Sequence, residues 1–226
     1  MAMESVRLPN GDEVVFDEWL HFPQYSTIEF ASTAAVNLRA FTYVAGQRVP
    51  STGLATRMSD ESDTNQVAKG RMNWDESYRV FSMTYEVFAL SDATITLSPN
   101  TLIAGESPVI TALNLRRLQR DLVIELIIGA DIEKPQVRAP FSYFHQGIGA
   151  WAYGSGDQPD GLSPVSYGTG GLPRWCSQRR YPFPVKIGSD NVMYLKIFSA
   201  LSTVLGLTQD IRMRWYLDGV KRRPLG

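Results

Sequence analysis

Asp210-Ile-Arg-Met-Arg-Trp-Tyr-Leu-Asp218 alternates without a break. Ile211, Met213, Trp215 and Leu217 take one side, while Asp210, Arg212, Arg214, Tyr216 and Asp218 take the other. A period of two marks a strand with one face in a core and the other toward polar surroundings. The pattern predicts a core strand over Asp210 to Leu217 with its four apolar side chains buried. Asp218-Gly219 follows, then a basic exit, Lys221-Arg222-Arg223-Pro224. Just upstream, Pro184-Val-Lys-Ile-Gly-Ser-Asp-Asn-Val-Met-Tyr-Leu-Lys-Ile-Phe198 reads as two strands flanking a Gly-Ser-Asp-Asn turn. A chain that closes on such strands points to a β-sandwich rather than an α/β enzyme.

Working outward, Tyr78 to Leu90 is the longest strand candidate. Phe81, Met83, Tyr85, Val87 and Ala89 fall on one face, and Tyr78, Val80, Ser82, Thr84, Glu86 and Phe88 on the other. Strands average five or six residues, so one this long is expected to bend or bulge. Val192 to Phe198 is the third expected core strand. Leu122-Val-Ile-Glu-Leu-Ile-Ile128, an apolar run closed by Gly129, reads as a buried strand. Ser26–Ala31, Val36–Val44 and Ala93–Leu97 are further strands, and Val6 to Phe16 is a hairpin around Pro9-Asn10-Gly11. Ser107-Pro108 offers an N-cap and a first-turn proline for one short helix reaching Asp121. The alternative is a single extended strand from Leu113 onward.

Two segments resist this scheme. Gly46 to Asp75 is polar, and a connection of that length is usually functional. Gly147 to Gly171 holds eight glycines, with Pro159 and Pro164, so no regular element is expected there. The result is a single domain over residues 1–226 with long loops at about 46–77 and 146–175. The fold class is all-β, an antiparallel two-sheet sandwich of single jelly-roll type with one short helix.

Composition narrows the function. In 226 residues, 44% are hydrophobic, enough for a full core, and mean hydropathy is −0.15. No run of eighteen apolar residues suits a membrane span, and Met1 to Pro9 lacks the basic and apolar regions of a signal peptide. One cysteine excludes an internal disulfide framework and fits synthesis in a reducing cytoplasm. Net charge is −1, yet residues 1–106 carry 14 acids and 7 bases, and residues 107–226 carry 9 acids and 15 bases. That gradient is either chance clustering on a polar surface or a polarised molecule whose faces meet charged neighbours.

Catalytic signatures are missing. His21 and His145, with Cys176, do not supply the close spacing of a zinc site or a cupin centre. Gly147-Ile-Gly-Ala-Trp-Ala152 matches a dinucleotide fingerprint in form but has no helix behind it. Cys176 lies among bases that lower a thiol pKa, but without a histidine nearby in sequence it reads as a packed strand-end thiol. Glu29, Glu86, Glu125 and Asp131 are the acids from which a glycosidase pair would have to come, although any β protein has such acids. Asp60, Glu61 and Asp63 are a candidate calcium set. Trp151, Tyr153 and Trp175 suit a sugar platform or, more in keeping with the rest, packing within or between subunits. Three basic clusters remain: Arg116-Arg117 with Arg120, Arg174 with Arg179-Arg180, and Lys221-Arg222-Arg223. They fit inter-subunit salt bridges, acidic lipid headgroups or a genome. His145 is expected at a subunit contact.

Leu217-Asp-Gly-Val-Lys-Arg-Arg-Pro224, preceded by Tyr181 to Leu195, resembles the jelly-roll major capsid proteins of tailless, membrane-containing icosahedral bacteriophages. The resemblance covers the C-terminal fifty residues and the general density of strands. It implies a viral structural protein of the virion, made in the host cytoplasm, with no catalytic residues, no cofactor and no small-molecule substrate. Its partners would be copies of itself, other capsid proteins, and an internal membrane or genome. The length suits one jelly roll rather than two, leaving main shell subunit, partner capsid protein and spike base open. Trp151, Tyr153, Trp175, Arg179, Arg180, Arg222 and Arg223 are the expected inter-subunit or surface contacts. The alternatives are a carbohydrate- or receptor-binding module of a phage tail or secreted enzyme, and a jelly-roll hydrolase or isomerase.

Overall fold

The structure is a computed structural model. It describes residues 5–7, 13–15, 19–71, 77–90, 96–97, 100–101, 110–129, 135–146, 150–154, 165–169, 180–188, 191–200 and 203–222. In chain order the strands are β1 (Ser5–Arg7), β2 (Glu13–Val15), β3 (Trp19–His21), β4 (Gln24–Phe30), β5 (Asn37–Ala40), β6 (Ser51–Thr52) and β7 (Tyr78–Leu90). β8 (Thr96–Leu97), β9 (Asn100–Thr101) and β10 (Ile110–Thr111) lead to the helix α1 (Ala112–Asp121). Then come β11 (Leu122–Ile128), β12 (Val137–Pro140), a 3-10 turn (Phe141–Tyr143), β13 (His145–Gln146), β14 (Ala150–Gly154) and β15 (Val165–Thr169). β16 (Arg180–Ile187), β17 (Met193–Ser199) and β18 (Asp210–Arg222) complete the order.

Two sheets pack face to face. One has seven strands, with β18 between β7 and β4, β6 beyond β4, β13 and β16 on the far side of β7, and β3 alongside the end of β18. The other has four, in the order β12-β11-β17-β5. The chain is therefore an all-β sandwich with one described α-helix, and its long pairings are antiparallel. Two-residue parallel pairings join β6 to β4, β13 to β7 and β10 to β14.

The alternation in β18 sets the core. Ile211, Met213, Trp215 and Leu217 have no exposed surface. They meet Leu122, Ile124, Leu126, Leu195 and Ile197 from the smaller sheet, with Leu118 of α1 closing one side. Trp215 lies at the centre, with ring centroids 5.4 Å from Tyr85, 5.8 Å from Phe141 and 5.4 Å from Phe144. The apolar side chains of β18 and β7 have left water together, each contributing about 1.5–3 kcal/mol.

The bend expected in β7 is a bulge at Phe81. Asp218 pairs with Ser82 and Gly219 with Val80, so Phe81 is an extra residue. Beyond it Met83, Tyr85 and Val87 face the core, and before it Tyr78 and Val80 do. The bulge thus brings both faces read from the sequence into one interior. It also lets β18 run on past Asp218. At Gly219 a Cβ would overlap the carbonyl oxygen of Arg79 and lie 2.9 Å from the Tyr78 ring. The Tyr78 hydroxyl is shared between the carbonyls of Leu217 (2.6 Å) and Phe22 (2.7 Å).

Four expectations need correction. The strand expected over Val36–Val44 stops at Ala40, because Phe41 turns the chain at φ 64° while its N–H donates to Ser26 Oγ. The helix does not start at Ser107-Pro108. Ile110–Thr111 is extended and pairs with Trp151–Ala152, and α1 begins only at Ala112. This also removes the reading of one strand from Leu113. The glycine-rich segment contains a hairpin, with Ala150–Gly154 antiparallel to Val165–Thr169, because short strands tolerate glycine where the backbone pairs. The Gly188–Asn191 turn does not close a hairpin. β16 pairs with β7 in one sheet and β17 with β11 and β5 in the other, so the turn is a crossing between layers. The hairpin expected at Val6–Phe16 is present as β1 against β2.

The fit at Gly219 makes a measurable demand. Gly219→Ala is expected to destabilise the fold by about 3 kcal/mol, as overpacking against rigid backbone does. This would show as a lower urea midpoint with an unchanged m-value. A midpoint equal to that of the parent chain would mean that β7 and β18 are not in the register given above.

Candidate functional site

The outward face of the seven-stranded sheet concentrates the charged groups that chemistry could use. Arg212 lies opposite Glu29 on one neighbour and Phe88 on the other, Arg214 opposite Thr27 and Glu86, and Tyr216 opposite Tyr25 and Thr84. Glu29 and Glu86, nominated from the sequence, therefore share this face. Glu29 Oε1 accepts from Arg212 Nε at 2.7 Å and from Arg57 Nε at 2.8 Å. The remaining nitrogens of Arg57 donate to both oxygens of Asp63, at 2.7 and 2.6 Å. Arg57 and Asp63 belong to the long polar loop, which is thereby fastened across β4.

Tyr43 adds a second clamp. Its hydroxyl accepts from the Thr27 N–H at 3.0 Å and donates to the Thr27 carbonyl at 2.8 Å. Burial pushes this phenol up to about 12, so it stays neutral and keeps its donor. Burial alone would raise the Asp63 carboxyl, but the bidentate Arg57 outweighs it and the net shift is downward. Arg57 is held above its ordinary value, chiefly by the bonds to Asp63. Asp63 and Arg57 are thus each kept ionised by the other rather than tuned toward neutrality.

Two positions along, the Tyr216 hydroxyl donates to Glu86 Oε2 at 2.6 Å, and Arg214 Nη1 is 3.7 Å from the same oxygen. Burial first, then the bond to Glu86, raises the Tyr216 phenol to about 12. The Arg214 guanidinium lies 6.0 Å from the Tyr25 ring centroid and 5.9 Å from that of Phe88. A glycosidase needs a protonated carboxyl beside a free carboxylate. Glu29 and Glu86 instead sit on the two strands flanking β18, two residues out of step, which places their Cα atoms about 12 Å apart. Both are already engaged, Glu29 by Arg57 and Arg212 and Glu86 by Tyr216. Glu125 is on the other sheet, between Arg138 (3.2 Å) and Lys196 (3.8 Å). No pair forms among these three, and Asp131 lies outside the described residues.

His21 Nε2 is 2.7 Å from Asp218 Oδ1, and Ser82 Oγ donates to Asp218 Oδ2 at 3.4 Å. The order is wrong for a hydrolytic triad, because the carboxylate stands between hydroxyl and imidazole and nothing deprotonates the serine. The calcium set does not converge either. Asp63 is occupied by Arg57, and Asp60 accepts from the Ser62 N–H and hydroxyl. Among the described residues no group of three or more His, Cys, Asp or Glu is placed to hold a metal.

Of the expected contact residues, Arg222 ends β18 opposite Trp19, with its N–H on the Ser77 carbonyl at 2.8 Å. The Arg180 backbone opens β16 opposite Ser82. Two basic clusters distant in sequence thus arrive on strands that both pair with β7. Trp151 and Tyr153 are on β14, in a separate three-stranded sheet with β10 and β15, and their side chains lie outside the description. Trp175, Cys176, Arg179 and Arg223 lie outside it altogether, as does the side chain of His145. Arg57 and Tyr43 were missed in the sequence, and Asp63 was read there as a calcium ligand rather than as the partner of Arg57, since nothing local marks which groups of a polar loop return to a sheet. No protein-family model, no curated protein and no solved structure matches this chain.

Two measurements check the fastening. Arg57→Ala leaves the buried Asp63 carboxylate without its bidentate partner and is expected to cost about 3 kcal/mol, with early proteolysis in the loop. Because the Asp63 carboxyl is lowered in the fold, its contribution is complete above the unfolded value of about 3.9. It is lost as pH falls through the lower folded value. Urea midpoints should therefore drop below about pH 4, less steeply in Arg57→Ala. Equal pH profiles for the two proteins would show that the loop is not held this way.

Proposed function

We propose that this chain is a viral structural protein, a single jelly-roll capsid subunit that assembles the virion shell from copies of itself and other capsid proteins. The observation that carries the reading is how the molecule spends its polar and apolar groups. Glu29, Asp63 and Glu125, the buried carboxylates of the described residues, all face arginine or lysine partners that brace sheets and loop. Large apolar side chains meanwhile stand in water on loops and at an edge strand: Phe183 is 74% exposed, Val67 71%, Met58 62% and Val204 55%. Apolar groups arrayed at several points of a rigid sandwich suit contacts with neighbours. The resemblance of the C-terminal strands to jelly-roll capsid proteins points the same way.

The shell reading implies a protein without turnover, made in the host cytoplasm and residing in the virion. Sedimentation and negative-stain microscopy of the full chain test it. Assemblies are expected to grow with protein concentration, and Phe183→Ser combined with Val67→Ser is expected to shift them toward monomer without lowering the thermal midpoint. A chain that stays monomeric at every concentration, alone and beside the other proteins of its source particle, would overturn the reading.

A further inference from the structure

The outward face of the four-stranded sheet carries a row of charges in register across all of its strands. Arg39 of β5 pairs with Lys196 of β17, Lys196 with Glu125 of β11, and Glu125 with Arg138 of β12. These positions alternate with Leu38, Ala40, Ile124, Leu126, Leu195, Ile197 and Ala139, all in the core, so all four point away from it. Arg71 joins the face opposite Val192 in an isolated bridge, and Lys69 is exposed on the turn beside it. Five cations thus stand with one carboxylate, and Glu125 is nearly buried beneath Arg138 and Lys196. Arg138 is 65% exposed and Lys196 30%.

Aromatic rings hold two of these cations. The Arg39 guanidinium lies 4.7 Å from the Tyr194 ring centroid, and Lys196 Nζ lies 4.7 Å from that of Phe198. Cations fixed in this way lose little side-chain entropy when an anion arrives. At about 4.8 Å between strands, the row from Arg39 to Arg138 spans about 14 Å. Single-stranded nucleic acid tracks such a run of positive charge through its phosphates, and here the rings steady the cations rather than stack bases, since Tyr194 is buried.

We propose that this face binds the backbone of a single-stranded nucleic acid. The fit is better than to a lipid surface, because Ile127 and Tyr194 on the same face are buried and offer nothing to insert among acyl chains. A net charge of −1 for the whole chain does not oppose this, since on this face five cations stand with one carboxylate. The inference does not rest on self-assembly, and the two are measured separately.

The test is fluorescence anisotropy of labelled oligo-dT and oligo-U with the full chain over a salt series. With Arg39, Arg71, Arg138 and Lys196 each neutralising one phosphate, log K against log salt should fall with a slope of about −2.8. Arg39→Ala combined with Arg138→Ala should halve that slope and weaken low-salt binding about tenfold or more. Arg48→Ala combined with Arg116→Ala, exposed cations away from this face, should change it less than about twofold. An unchanged thermal midpoint confirms that each variant is folded, and Lys196→Gln, which keeps the bulk, is the second variant should Arg138→Ala unfold the edge strand. The proposal is overturned by absence of binding at low salt or by equal losses in the two double variants. It is also overturned by binding to phosphatidylserine vesicles but not to either oligonucleotide.

Discussion

Everything in the larger sheet depends on the pairing of β18 along both edges. From Ile211 to Leu217 it pairs with β7 on one side and β4 on the other, and its end continues against β3. It joins residues 210–222 to strands far earlier in sequence, so the sheet closes only through non-local contacts. Such non-local pairing makes formation slow and cooperative. The same strand supplies Trp215, against which Tyr85, Phe141 and Phe144 pack, so pairing and interior are set by one element.

β18 also divides the chemistry of its two sides. Inward, four apolar side chains need only the right size. Outward, Arg212 and Arg214 require specific carboxylates at specific register positions, and Arg57 must come from a loop to complete the set. Buried ion pairs add little net stability, because desolvation offsets attraction. They do penalise alternatives: a one-residue slip of β18 would bury arginines in the core and expose Trp215. The ionic face is thus best understood as fixing the register and the loop path.

Sequence periodicity exposed the parts of this fold that follow from one face of one strand. The alternation in Asp210 to Leu217 named its buried residues correctly, and the apolar run Leu122 to Ile128 named a strand covered on both sides. Periodicity failed where the backbone departs from a regular path. The faces of β7 could not be assigned through Phe81 because a bulge changes parity, and nothing in Val36–Val44 announced that Phe41 would take a positive φ. It also could not say which sheet a strand joins, so β16 and β17 read as neighbours when they lie in different layers. The candidate sites show the same limit. Glu29 and Glu86 were legible only as candidate acids, because their partners arrive from 28 and 130 residues away.

The sheet edges constrain how any assembly can be built. β12 ends in Pro140 and carries the exposed Arg138, β5 is four residues long with Arg39 outward, and β16 contains Pro182 and Pro184 where its pairing with β7 breaks. Proline, short length and positive charge at an edge all oppose pairing with another strand. Copies of this chain would not grow by extending a sheet, since that would require edges with free, regularly spaced backbone groups. In the proposed shell, contacts would instead come from side chains standing off loops and edges, as Phe183, Val67 and Met58 do. Interfaces of this kind can be weak one by one and still define an array, because many identical copies repeat each contact.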